Sequence, residues 1–261
     1  MKMKIKQSLA TLSVVLLTVA GTSFTANGQE EPWRFGVSVP LWAVGIDGDI
    51  TIDGVEQDVD IGFDDLKDHL DASFSLGFEA RKGKLGFYAG LGYLEFSGDN
   101  KTSGWDSESE LKMTIAEAGM SYLLVKTESE HPFLLEGTLG VRYWKTESDL
   151  EIKDSSGAVL FEGGNDRNLL DPVIGMRGSQ YLSSKLHLDF AGDIGGFGIS
   201  GDTSDLDWSA LGLVSYDFTK WFTLSAGYKA VGLDVSRGSG ADEDGLDIVF
   251  NGALLAAKFR F

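Results

Sequence analysis

Residues 48 to 70 carry eight carboxylates, Asp49, Asp53, Glu56, Asp58, Asp60, Asp64, Asp65 and Asp68, against the single lysine Lys67. Carboxylates crowded at this density suit hard cations, so Asp49, Asp53, Asp58, Asp60, Asp64 and Asp65 are candidate ligands for a loosely held Ca2+ or Mg2+ ion. The order Asp47, Asp49, Thr51, Asp53 matches a calcium loop only in part, because its sixth position is Ile52 where such a loop turns on a glycine. No tightly bound cofactor is expected. The same segment holds the one histidine placed to act with acids in proton transfer, His69 beside Asp65, Asp68 and Asp71. His131 and His187 stand apart from it, and the absence of cysteine removes thiolate nucleophiles, disulfides and sulfur metal sites.

A second set of charges is spread through otherwise apolar segments. Glu79, Glu117, Glu136, Asp189 and Asp193 are nearly balanced by Arg81, Arg142, Arg177, Lys229, Lys258 and Arg260. Each sits on the opposite parity from its apolar neighbours, which in a strand means the opposite face. A face that is charged while its reverse is wholly apolar fits a barrel in a membrane, with charges inside and lipid outside. Unpaired charges in a confined lumen are costly, so the expectation is a packed network of ion pairs that fills a narrow barrel. Arg142 and Arg177 are expected against Glu136, Glu117 or Asp193. The alternative is a narrow pore for small solutes or ions, lined by the same charges.

Ten alternating segments supply the walls: 33 to 47, 72 to 82, 85 to 97, 111 to 126, 133 to 145, 172 to 182, 186 to 198, 208 to 218, 222 to 235 and 246 to 261. The last has Val249, Asn251, Ala253, Leu255, Ala257, Phe259 and Phe261 on its lipid face, and Lys258 and Arg260 among those on the lumen face. Its aromatic end makes Phe259 and Phe261 the expected assembly signal. Connections alternate between short (83 to 84, 127 to 132, 183 to 185, 219 to 221) and long (48 to 71, 98 to 110, 146 to 171, 199 to 207, 236 to 245), as periplasmic turns and external loops do. By this topology His131 and His187 fall at the periplasmic end, with His187 facing inward beside Asp189. Aromatics gather at that end too: Trp33, Phe35, Tyr122, Tyr181, Tyr216, Phe218, Trp221, Phe222 and Phe261 form an expected interfacial girdle, with Trp144 and Trp208 marking the outer one. Pro40 lacks a backbone donor and predicts a bulge or an early end to pairing. In the first long loop, Asp53-Gly54 between alternating residues predicts a hairpin over 49 to 61, and Phe63, Leu66 and Leu70 have helical spacing.

Lys2, Lys4 and Lys6 followed by an apolar run from Leu9 to Ala20 and by Ala26, Asn27 and Gly28 read as a secretion signal over residues 1 to 28. That leaves one barrel domain, 29 to 261. Removal of three lysines takes the formal charge from −18 to −21, which excludes nucleic acid as a natural partner. Thirty-four glycines against four prolines suit twisted strands.

The segments Asp171-Pro-Val-Ile-Gly-Met-Arg177, Gly192-Asp-Ile-Gly-Gly-Phe-Gly198, Ala226-Gly-Tyr-Lys229 and Asn251 to Phe261, together with Trp42 through Gly48-Asp49, resemble a group of small Gram-negative outer-membrane barrel proteins. The resemblance implies insertion by the outer-membrane assembly machinery through the last strand, and it brings no substrate, cofactor or catalytic residue. Omptin proteases resemble the chain in strand count alone, and their aspartate and histidine pattern has no counterpart here. The expectation is therefore a monomeric, all-β, antiparallel ten-stranded barrel of the outer membrane. Its partners are membrane lipid and lipopolysaccharide, and its role is structural or one of surface interaction. A narrow pore comes second and a loop-borne hydrolase third.

Overall fold

Backbone amides and carbonyls have no partner in a lipid phase except one another, so strands that cross it must pair on both sides and close on themselves. The computed structural model describes residues 31 to 261 apart from 53–54, 67–69, 102–104, 155 and 239–243, and its strands close into such a ring. Eleven strands follow in order: β1 (Arg34–Ile52), β2 (Val55–Ile61), then, after a one-turn helix α1 (Phe63–Leu66), β3 (Leu70–Lys82), β4 (Leu85–Lys101), β5 (Trp105–Lys126), β6 (Phe133–Asp154), β7 (Val159–Tyr181), β8 (Leu186–Gly196), β9 (Leu206–Asp217), β10 (Phe222–Arg237) and β11 (Asp244–Arg260). Each strand from β3 to β11 pairs antiparallel with the next, and β11 returns to β1 in a register from Gly36↔Arg260 to Thr51↔Gly245. Phe35 and Phe261 exchange backbone hydrogen bonds of 2.9 and 3.0 Å at the closure. Ten strands form the barrel. The eleventh, β2, pairs with β1 from Ile46↔Ile61 to Ile52↔Val55, the hairpin that Asp53-Gly54 predicts, although those two residues themselves lie outside the described part. Among the described residues no helix is long and apolar enough to cross a membrane.

Parity sorts the side chains as expected. Phe74, Leu76, Leu91, Leu139, Ile174 and Leu255 are exposed on the outer wall. At the short-turn end Phe35 stacks on Phe261 (6.1 Å between centroids) and Trp221 on Phe259 (6.3 Å), which forms the girdle. Two aromatics are exceptions. Tyr181 shares its parity with Arg177 and Ser179 and packs on His187 at 4.8 Å, inside the barrel. Trp144, expected in the outer girdle, is 1% exposed and also lies inside, because its even parity on β6 is that of Glu136 and Arg142. Trp208 does face outward, its indole lying over Gly232, where a Cβ would come within 2.0 Å of it.

The long connections are shorter than the sequence suggests. Residues 105–110 belong to β5, 146–154 to β6 and 159–171 to β7, so these strands rise well above the apolar band. Their upper parts mix charged with apolar residues, and ion pairs such as Lys153 with Glu151 (2.7 Å) and Lys112 with Glu110 (2.8 Å) interrupt the hydrophobic alternation that marks a strand. At Pro40 the outcome is an early end to pairing. The β1–β3 ladder stops at Ser38↔Gly77, while β1 continues against β11 through Pro40↔Ala256.

Candidate functional site

All eleven lumen charges named from the sequence point inward, and eight of them assemble in two clusters around Arg177 and Arg142. Nearer the short turns, Arg177 is the hub. Its Nε donates to Glu136 Oε2 at 2.9 Å, its Nη1 to Glu79 Oε1 at 2.6 Å and its Nη2 to Ser121 at 3.2 Å. Arg81 pairs with the second oxygen of Glu136, and Lys258 with the second oxygen of Glu79. The guanidinium lies 5.5 Å over the Tyr88 ring. That ring needs the bare backbone of Gly119 and Gly140, where a Cβ would sit 2.6 to 2.7 Å from its outer atoms. One level up, Arg142 donates to Asp207 at 2.7 Å, to Asp193 at 2.9 and 3.0 Å and to Glu117 at 3.3 Å. At the turn end His187 Nδ1 is 3.0 Å from Asp189, which also accepts from Ser179 and Ser215, while Arg260 meets Asp217 at 3.2 Å. Lys229 lies above this cluster, in the field of Glu117, Asp193 and Asp207, with its ammonium 5.1 Å over the Trp42 ring.

Sequence reasoning missed Asp207, the most deeply buried partner of Arg142, with no exposed side-chain surface. It had been assigned to the end of a loop. Its parity with Ser209, Leu211 and Leu213 on β9 is the signal that places it inside. Asp217 and Asp171 were missed as well. Asp171 receives the backbone amide and hydroxyl of Ser204 at 2.8 and 2.9 Å and so ties the β8–β9 connection to β7.

Above these charges the lumen turns apolar. Val44, Ile46, Leu94, Phe96, Met113, Trp144, Leu169, Val231, Leu233, Val235, Ile248 and Phe250 form one buried cluster. Trp144 and Phe250 stack at 6.1 Å across it. Trp144 joins the storeys, donating its Nε1–H to Asp207 Oδ2 at 3.3 Å. Charges thus gather in the lower lumen, and a buried apolar cluster lies above them.

On the outer face, above the apolar band, the acidic first loop takes a definite shape. Register places Asp58 of β2 opposite Asp49 of β1, Asp49 opposite Asp247 of β11, and Asp247 opposite Asp234 of β10. These four aspartates form a row across four neighbouring strands, where directly opposed residues lie about 5 Å apart. Asp47 and Asp60 form a second pair below. Loss of water around the Asp49 carboxyl, and then the charges of Asp58 and Asp247, push its pKa up. Asp234 is raised for the same reasons, by burial and then by Asp247 and Asp205. Residues 47 to 52 are extended strand, so the partial calcium-loop spacing does not form a loop. Among the described residues no group of three or more acids or histidines is gathered to hold a metal. Asp64 lies in α1, as does Asp65, of whose side chain nothing is described. Asp53, Asp68 and His69 fall outside the described residues.

No protein-family model matches the chain, and no curated protein matches it in sequence. Solved structures do. The outer membrane protease OmpT of Escherichia coli aligns over 92% of this chain and 99% of its own, with a TM-score of 0.55 at 9% identity. The attachment invasion locus protein Ail of Yersinia pestis aligns over 88% and 99%, with a TM-score of 0.38 at 11% identity. The toluene transporter TodX of Pseudomonas putida aligns over 88% and 90%, with a TM-score of 0.33 at 11% identity. At these identities the likeness is one of fold. Closed strands, an apolar outer wall and an aromatic girdle point to the outer membrane, and the likeness to OmpT is one of fold: the chain folds as a small, ten-stranded outer-membrane β-barrel protein.

Proposed function

We propose that the protein is a monomeric outer-membrane barrel with a structural and surface-interaction role. Its first 28 residues are removed as a secretion signal, and the outer-membrane assembly machinery inserts it by reading Phe259 and Phe261. Its outer face meets lipopolysaccharide through loosely held divalent cations. The observation that carries this reading is the row Asp58, Asp49, Asp247 and Asp234, aimed outward just above the apolar band. Four like charges at this spacing repel one another, and divalent ions shared with lipid phosphates relieve that repulsion. The apolar layer above the charged lumen supports a barrel that does not conduct.

The test is co-sedimentation with vesicles containing lipopolysaccharide, in millimolar calcium and in chelator. Calcium is expected to raise binding about tenfold, and Asp49→Asn with Asp247→Asn to abolish the gain. Equal binding in both conditions would leave the row an ordinary solvated surface. The narrow-pore reading has one observation in its favour: Lys229 sits deep in the lumen with its ammonium over the Trp42 ring. Steady unitary conductance steps in planar bilayers would establish it. A hydrolase would have to be built around His69, and loss of hydrolysis on changing that residue is the corresponding test.

A further inference from the structure

The outer wall carries polar groups where a lipid-facing surface has no use for them. Along the seam of β10, β11 and β1 the bulky band of Leu41 and Leu255 gives way to Ala43 paired with Ala253 and Gly45 paired with Asn251. The depression is a groove of about 400 Å³, walled by Tyr228 on one side and by Ile61 and Phe63 of the β2–α1 corner on the other. The corner rests on Gly45, where a Cβ would lie 3.2 Å from the Ile61 carbonyl, so any larger residue would lift this wall. At the upper end of the groove the Tyr228 hydroxyl donates to Asn251 Oδ1, and Asn251 Nδ2 donates to the Asp47 carboxylate. The chain of bonds runs across three strands on the outside of the barrel. It ends on an exposed carboxylate whose remaining lone pairs are open to a donor.

Depth fixes what can lie there. Asn251 is eight residues up β11 from Phe259 in the girdle, which at the usual rise and tilt is about 20 Å. The groove therefore occupies the upper part of an apolar band about 25 Å tall, and its polar end reaches the headgroup boundary of the leaflet on the long-loop side. Hydrocarbon fits its floor of small residues. Only a group that brings hydrogen-bond donors fits its top.

We propose that this groove is a binding site for one acyl chain of an outer-leaflet glycolipid, with an amide N–H or hydroxyl at the head of the chain donating to Asp47 and Asn251. The groove is continuous with the membrane-facing wall, so its occupant is a membrane lipid. Amide-linked, hydroxylated chains, as on the lipid anchor of lipopolysaccharide, supply both the hydrocarbon and the donors. The site deepens the proposed surface role and rests on the same membrane placement, but it needs no cation.

The experiment is native mass spectrometry of the full barrel in mild detergent, with chelator present throughout so that cation bridging is silent. The protein is titrated separately with lipid A, phosphatidylethanolamine and phosphatidylglycerol. The parent is expected to retain one lipid A per barrel. Ala43→Leu with Ala253→Leu, which fills the floor with a residue the same wall already carries, is expected to cut retention at least tenfold with heat-modifiable migration unchanged. Asn251→Leu should cut it several-fold. Retention by the filled variant equal to the parent, no retained lipid A in the parent, or equal retention of either phospholipid would each overturn the proposal. Failure of the cation reading would appear only as insensitivity to calcium in the vesicle experiment and would leave this comparison intact.

Discussion

The two storeys of the lumen fill the same cylinder with opposite chemistry. Below, Arg177 and Arg142 each gather two or three carboxylates. Above, Trp144, Phe250 and their apolar neighbours form one buried cluster. Either filling suits a closed barrel, because strand pairing already takes up most of the backbone groups of the wall and the side chains need only satisfy one another. What differs is how each fails. A charged storey that loses one member keeps the others buried without compensation, whereas an apolar storey is left with a hole.

The largest expected effect is therefore at Arg142, whose side chain is 4% exposed and whose removal strands Asp207, Asp193 and Glu117 together. Arg142→Ala should cost about 4 kcal/mol of unfolding free energy in a denaturant titration. Arg142→Met with Asp207→Asn should recover part of that, since the pair is then removed as a unit. If Arg142→Ala unfolds with the parent, the lower storey contributes no net stability. Trp144→Ala comes next, at about 3 kcal/mol, from lost burial and the vacated hydrogen bond to Asp207.

Conductance separates the storeys more sharply than stability does. Arg177→Ala should leave planar bilayers silent because the apolar layer above it is intact. Trp144→Gly with Phe250→Ala should admit water and ions down to the charged level. Current through the Arg177 variant, with none through the double one, would reverse the assignment of the seal.

The smallest effect concerns the rim, where pH moves two features in opposite directions. Asp49 and Asp234 have pKa values raised by folding, so the penalty of their ionised forms is present in full above those values and is relieved as pH falls from neutral toward the usual carboxylate range. Asp154 is lowered, first by the Ser156 hydroxyl and then by the amides of Ala158 and Ser156, so its contribution is present above the ordinary value and is lost as pH falls through the lowered one. Mild acid should thus slow proteolysis in the β1–β2 hairpin, and only stronger acid should speed it at the turn between β6 and β7. Equal rates at every pH would mean that the row carries no repulsion.

Much of this was legible in the residues because parity in a strand is strict. Lys258 and Arg260 against Phe259 and Phe261 place two faces without any knowledge of partners, and the same reasoning puts Glu117, Glu136, Arg142 and Arg177 on the inner face while leaving open which carboxylate meets which arginine. Trp144 shows the limit. A tryptophan at the end of an apolar run suggests a membrane interface, yet its even position beside Arg142 already put it inside. Asp207 escaped because β9 begins just before it, where no alternation has yet built up. The upper halves of β5, β6 and β7 escaped because strands in water, rich in charged residues, lose the contrast between faces that periodicity detects. The Asp58, Asp49, Asp247 and Asp234 row depends on registers between segments far apart in sequence, which alternation within one segment does not encode.

β8 and β9 run 11 and 12 residues, enough to cross a bilayer and little more, while β6 and β7 run 22 and 23. The wall therefore stands about 25 Å higher on one flank than on the other. A cylinder with a level rim presents the same aspect from every bearing. This one has a windward and a lee side, so a neighbour drifting through a crowded leaflet reaches the bare wall by way of β8 and β9 and is fended off at β6 and β7. The molecule thus carries a compass direction in the plane of the membrane.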